Sequence, residues 1–327
     1  MFSAIVISET DQGSEAAPAE VDEHNLPDGD VTVDVEYSTI NYKDALAIVN
    51  GKPVVRTFPM VPGIDFAGTI AESRAPGWKA GDTVVLNGWG VGEERWGGLA
   101  TRARVDGSWL VPTPEGFSTR DAMVVGTAGY TAALAVRALE VGGVTPATGS
   151  VVVTGASGGV GGFAIILLAS MGFEVIAATR TPGSSSYLTE LGAQEIIDSD
   201  ELGTDVRPLG KQRWAGAVDN VGGSVLAGVI SATAYGGTVV ACGNAGSMDL
   251  PTSVAPFILR GVSLVGIESV RAPAETRADA WALLAERTPR ALLDAVGEEI
   301  GLGDVVPSAR RLLANEITGR IVVDVRR

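Results

Sequence analysis

VVVTGASGGVGGFAIILLASMG, residues 151–172, is the stretch on which the fold turns. A β-branched run reads as a buried strand, and the apolar run after Val160 reads as a helix. Between them Gly155, Gly158 and Gly161 form a G-x-x-G-x-x-G variant of the dinucleotide fingerprint, in the strand-to-helix context that the fingerprint requires. Gly155 supplies the tight turn, Gly158 and Gly159 let the backbone approach a diphosphate, and Gly161 lets the helix pack closely. Ser157 and Val160 lie in the same turn, whose free N–H groups and helix dipole favour an anion.

FEVIAATR (173–180) reads as the next strand. An NAD-preferring site places Asp or Glu about 20 residues beyond the glycines to hold the ribose 2′-hydroxyl. Here the strand ends in Thr179, Arg180 and Thr181, with no acid. A guanidinium there pairs with a 2′-phosphate, and the two hydroxyls add hydrogen bonds, so the expected cofactor is NADPH.

Outward from this core, WAGAVDNVG (214–222), GGTVVACG (236–243) and VSLVGIESV (262–270) supply further buried strands, and their alternation with helical stretches signals a parallel sheet. Upstream, runs such as VTVDVEYSTI (31–40) and DTVVLNGWG (82–90) sit between Gly and Pro turns, as in a β-rich lobe. The tail, with helical ADAWALLAER (278–287) and the strand GRIVVDV (319–325), breaks the alternation and is expected to rejoin the first lobe. The expected class is α/β, a β-rich domain over 1–125, a Rossmann domain over 126–268 and a returning segment over 269–327.

A chain of 327 residues suits two lobes, since single cores stop growing near about 250–300 residues. It holds one cysteine, Cys242, and one histidine, His24, which excludes an internal disulfide and a zinc tetrad and leaves His24 as the one base a histidine-based hydrolase triad could use. His24 stands in the polar run VDEHNLPDGD and reads as a solvated loop residue; Cys242 reads as inert packing. A net charge of −15 disfavours nucleic acid, and any phosphate site must work locally. No signal peptide or membrane span is read, so a cytoplasmic protein is expected.

Across most of its length the chain resembles the acrylyl-CoA reductase (NADPH) branch of quinone-oxidoreductase-like medium-chain dehydrogenases. The resemblance lies in STINYKDALAI (38–48), FPMVPGIDFAGT (58–69), NGWGVGEERWGGLA (87–100), GTAGYTAALAV (126–136), the glycine turn, and MDLPTSVAPFILRGV (248–262). It implies a GroES-like first domain and reduction of acrylyl-CoA, or another short enoyl-CoA, to propionyl-CoA. It also implies NADPH contacts from Tyr42, from Ser157, Gly158, Gly159 and Val160, from Thr179 to Thr181, and from Asn244, Ile258, Ser269 and Asn315. The branch often carries Ser-Gly-Arg where this chain has Ala178, Thr179 and Arg180, and an Arg near Ser199 that is missing here, so the 2′-phosphate clamp is thinner.

Tyr42 is the candidate catalytic residue: its phenol can hold a developing oxyanion or deliver a proton, or it can serve as a cofactor anchor. Lys43 and Asp44 read as an ion pair bracing its loop, and Asp65 and Asp219 as structural. Trp78, Trp89, Trp96 and Trp109 read as packing or as the wall of an acyl path. The apolar edge VSLVGIESV is expected to join a homodimer through 262–270. An NADPH:quinone reductase and a non-catalytic NADPH-binding sensor are the competing readings.

Overall fold

The computed structural model describes residues 1–327, the side chain of residue 182 excepted. The chain divides into two units, one of Met1–Thr127, Val270–Ala278 and Leu293–Arg327, the other of Ala128–Ser269 and Asp279–Leu292.

In the first unit the strand Val31–Thr39 is the organising element. Its Val31, Thr32, Val33 and Val35 are buried while Asp34 is exposed, so one face is fully covered and the other only in part. It pairs antiparallel with Asp65–Ser73, with Arg102–Val105 and with the final strand Arg320–Asp324. Outer strands Thr83–Asn87, Val111–Pro112 and Gly297–Gly301 complete seven. The core is Val31, Val33, Val35, Phe66, Ile70, Leu86, Ile321 and Val323 with their neighbours.

The second unit holds six strands in the spatial order Glu195–Asp198, Val175–Thr179, Val151–Thr154, Trp214–Asp219, Thr233–Ala241, Ser263–Gly266. All pairs are parallel, so in chain sequence the order is 3-2-1-4-5-6, that of the Rossmann fold. Val151–Thr154 is buried on both faces, and Gly161 to Leu168 of the helix Gly159–Ser170 are buried throughout. Apolar runs without alternation are what a sheet covered on both sides requires. The third strand, EIID, gives a weak sequence signal because its two ends are exposed acids.

The division falls inside Thr119–Val141, beside Gly126, whose φ of 50° and ψ of −157° break the helix. Though long and apolar enough to cross a membrane by composition, that helix is largely buried here and reads as a core helix. The tail differs from expectation: the final strand does enter the first unit's sheet, but Asp279–Leu292 belongs to the second unit. Within that stretch Ala280, Trp281 and Leu284 are all buried.

Candidate active site

At the glycine turn, Gly155 has φ +58°, the left-handed conformation that a side chain resists. A Cβ on Gly161 would lie 2.4 Å from the Gly155 carbonyl oxygen and 2.7 Å from Ala156 Cα, so only glycine lets the helix start this close to the turn. Gly158 is the N-cap, and no side chain caps the helix. The only contact of a Cβ on Gly158 within 4 Å would be the Gly155 carbonyl at 3.3 Å. The open N-terminus of a 12-residue helix therefore meets a cradle free of side chains, which fits a dinucleotide diphosphate.

This turn lies where strand order reverses, between Val151–Thr154 and Trp214–Asp219, the place where such sheets bind ligands. The carboxyl ends of the two strands are clamped together. Thr154 Oγ1 donates to Asp219 Oδ1 at 2.6 Å, Asn220 Nδ2 donates to the Thr154 carbonyl at 2.7 Å, and the Gly222 N–H donates to Asp219 Oδ2 at 2.7 Å. Burial raises the Asp219 carboxyl above its ordinary range, against the hydrogen bonds from Thr154 and Gly222, which lower it. Asp219 braces the switch point, as expected; Thr154 and Asn220 were not singled out in the sequence, because a hydroxyl and an amide at strand ends carry no pattern of their own.

Ser157 and Thr179 hydroxyls stand 3.3 Å apart, joining the glycine turn to the end of the second strand, and Thr179 Oγ1 accepts the Thr181 N–H at 3.1 Å. Arg180 is exposed and has no ion-pair partner among the described residues, so its guanidinium is available to a phosphate. The neighbouring strand brings Asp198 into register with Thr179, and the buried Ser199 follows it.

A groove of about 480 Å³ runs along the ends of the last two strands, lined by Cys242, Gly243, Asn244, Met248, Ile267 and Glu268 among others. Asn244 belongs to it and Ser269 follows its last lining residue. Ile258, on the helix Ala255–Arg260, is 72% exposed and is not among the lining residues. The Cys242 sulfur contacts the Asp219 carbonyl and Asn220 Oδ1, and burial, aided by the Asp219 charge, pushes the thiol up to about 12. A thiol that stays protonated is neither nucleophile nor metal ligand near neutrality.

Tyr42 and Asn315 stand in the first unit. Tyr42 opens the helix Tyr42–Asn50 and is 48% exposed; Asn315 is exposed, with φ +59° just after the helix Val305–Leu313. Beneath Tyr42 lies a buried polar network. Asn41 caps the helix: Asp44 Oδ2 accepts its N–H at 2.8 Å and its Nδ2 at 3.1 Å, and Asp44 Oδ1 accepts the Ile64 N–H at 2.9 Å. Asp65 accepts from Thr39 Oγ1 at 2.6 Å, Asn41 Nδ2 at 3.1 Å and the Thr127 N–H at 2.6 Å. Arg320 Nη1 donates to Asn41 Oδ1 at 3.0 Å. Burial first, and the Asp65 charge second, push Asp44 up to about 7.

The expected Lys43–Asp44 pair is not formed. Lys43 Nζ reaches Glu93 at 3.0 Å, while Asp44 turns inward to the backbone donors that a buried carboxylate needs. Arg320 was not foreseen, because an arginine opening a strand reads as a surface charge. The tryptophans pack: Trp78 and Trp96 donate to the Gly107 and Pro59 carbonyls, and Trp89 stacks on Trp109. His24 is exposed, and no three His, Cys, Asp or Glu side chains among the described residues form a metal site.

Comparison with known proteins places these features in a family. Residues 27–115 match the alcohol dehydrogenase GroES-like domain and residues 159–286 the domain described as zinc-binding dehydrogenase. Over 99% of both chains the sequence is 49% identical to a Ruegeria pomeroyi protein named acrylyl-CoA reductase AcuI. The crystal structure of the YhdH oxidoreductase from Salmonella enterica in complex with NADP superposes with a TM-score of 0.97, at 50% identity over 99% of each chain. That of Bacillus subtilis YhfP with NAD bound gives 0.96 at 41% identity, also over 99% of each chain.

Proposed function

The chain belongs to the acrylyl-CoA reductase branch of the quinone-oxidoreductase-like medium-chain dehydrogenases, and on that premise we propose that it reduces the carbon–carbon double bond of acrylyl-CoA, or of a short enoyl-CoA, with NADPH. The observation that carries this reading is full-length similarity to a named acrylyl-CoA reductase. The glycine turn, a diphosphate cradle by geometry, agrees with it.

When bound, NADPH supplies the hydride that reaches the β-carbon of the thioester. The chain's own residues do the rest. Gly155 to Gly161 hold the diphosphate, with the Ser157 hydroxyl beside it, and Thr179, Arg180 and Thr181 take the 2′-phosphate. Asn244, Ser269, Ile258 and Asn315 add further cofactor contacts. Tyr42 holds the negative charge that develops on the thioester oxygen and supplies a proton to the α-carbon, giving propionyl-CoA. One histidine and one cysteine leave no zinc ligand set for this chemistry. Steady-state NADPH oxidation tests the reading: acrylyl-CoA is expected to turn over faster than a panel of benzoquinones, and faster quinone reduction would reverse the substrate assignment.

Arg180→Ala is expected to weaken NADPH binding about ten- to a hundredfold, the value of a charge-assisted pair of about 1.5–3 kcal/mol, and to leave NADH nearly untouched. Parallel titrations of the two cofactors check this; equal losses would give Arg180 to the fold.

A homodimer through residues 262–270 completes the proposal. The strand Ser263–Gly266 ends the sheet, its Leu264 is 37% exposed, and Ile258 and Leu259 on the preceding helix Ala255–Arg260 are 72% and 62% exposed. An apolar edge of this kind is covered or paired in soluble proteins. Sedimentation at micromolar concentration is expected to give twice the chain mass, and a monomer would remove the dimer. A cytoplasmic setting suits a chain with one cysteine and a reduced nucleotide cofactor.

A further inference from the structure

In the first unit, three guanidinium groups converge on one carboxylate. Glu94 is approached by Arg56 (Nη1 to Oε1, 2.8 Å), Arg95 (Nη1 to Oε2, 3.5 Å) and Arg271 (Nη2 to Oε1, 3.9 Å). Arg56 and Arg95 alone already outnumber that carboxylate, so positive charge is locally in excess on a chain of net charge −15. The arginine side chains are 64%, 47% and 68% exposed, against 29% for Glu94, so the cations face solvent and the acid lies beneath them.

The cluster is held in place by its surroundings. Arg95 lies over the Trp109 ring at 5.1 Å and donates to the Trp89 carbonyl at 3.2 Å, and Trp109 stacks on Trp89 at 6.2 Å. The Arg56 N–H donates to the Glu93 carbonyl at 3.0 Å, tying its segment to the turn. The Glu94 and Arg95 N–H groups both donate to the Gly90 carbonyl, at 2.9 and 3.1 Å. Lys43, the residue after Tyr42, pairs with Glu93 at 3.0 Å. The first turn of the Tyr42 helix and the arginine cluster are therefore parts of one polar surface.

We propose that Arg56, Arg95 and Arg271 are the docking site for the phosphate groups of the substrate's nucleotide carrier, the CoA portion of an acyl-CoA. The assignment rests on the acyl-CoA reading above and adds to it the residues that recognise the carrier. Guanidinium forks match phosphate oxygens two at a time, and a phosphate brings more charge than the Glu94 carboxylate. Glu94 keeps the arginines oriented until a better anion displaces it. Arg180 is a separate site, on the second unit, for the cofactor's own phosphate.

The test compares acrylyl-CoA with acrylyl-pantetheine, which has the same acyl end and no phosphate. The native enzyme is expected to favour the CoA thioester in kcat/KM by tenfold or more, with its KM rising with ionic strength. In Arg56→Ala/Arg95→Ala that preference falls towards unity, while Glu94→Gln lowers KM for the CoA thioester. The dephospho-CoA thioester tells whether the 3′-phosphate or the diphosphate is held; either outcome supports the site. Equal kcat/KM for the two thioesters in the native enzyme, or a preference that survives the double substitution, overturns it. The salt dependence is read on the native protein and so does not depend on the variants folding. If no acrylyl thioester is reduced at all, the enzymatic reading fails by itself. Calorimetric titration with adenosine 3′,5′-bisphosphate then decides the site: binding lost in the double variant supports it, and no binding overturns it.

Discussion

Replacing Arg320 by leucine is expected to lower the unfolding free energy by about 3–5 kcal/mol, the cost of leaving buried charge without its partner. Arg320 is 4% exposed, and Asp44 and Asp65 are 1% and 0% exposed, so none of the three groups is hydrated. A Cβ placed on Gly126 would lie 2.6 Å from Arg320 Nη2 and 2.9 Å from Asp65 Oδ2, so cation and carboxylate flank the same point. Asn41 joins the network in both directions, its oxygen towards Arg320 and its Nδ2 towards both aspartates. The loss is also expected to depend on pH. Asp44 is pushed up to about 7 by burial and by Asp65, while the Asn41 hydrogen bonds hold it down; Arg320 fixes Asn41 from the other side, so its loss loosens those bonds and drives Asp44 higher. A carboxyl raised in the folded state is a proton the native chain keeps and the unfolded chain releases. The stability it confers is present below the ordinary carboxylate range, near about 4, and is lost as pH rises through 7. Urea unfolding should therefore show a larger defect at pH 8 than at pH 5; a loss of the same size at both values would give Arg320 a packing role only.

The Rossmann half was legible because its signals are local. A β-branched strand, three glycines at fixed spacing and an apolar helix lie within 22 residues, and each glycine has one steric reason to be there, as Gly155 and Gly161 demonstrate. The strand end at Arg180 was legible for the same reason. The polar network beneath Tyr42 was not, because it is assembled across long separations: Asn41 to Arg320 spans 279 positions and Asp65 to Thr127 spans 62. Neighbouring opposite charges suggested a Lys43–Asp44 pair, but adjacent residues at a helix start point in different directions, one to Glu93 and one into the core. The tail was misread in part because Ala280, Trp281 and Leu284 mark a buried face without saying which core they bury against.

Tyr42→Phe is expected to lower kcat for acrylyl-CoA by about two orders of magnitude or more, with KM for NADPH almost unchanged. Tyr42 stands at the first position of its helix, fixed there by the Asn41–Asp44 capping box, and it remains 48% exposed while the residues that set its backbone are buried. A rigid base carrying an accessible phenol is what placing a donor at a reacting oxygen requires, since a misplaced donor loses most of its effect. Removing one hydroxyl leaves the ring, its packing and the capping box intact, so a fall in kcat alone measures the donor and not the fold. If the phenol serves only as a cofactor anchor, the signature inverts: KM for NADPH rises and kcat at saturation survives. The two substitutions also isolate two layers of the same site. Arg320→Leu acts on the support beneath Tyr42 and is read first as stability, whereas Tyr42→Phe leaves the support in place and is read as rate. A variant of Tyr42 that loses stability instead of rate would place the phenol in the support layer and return the donor role to another group.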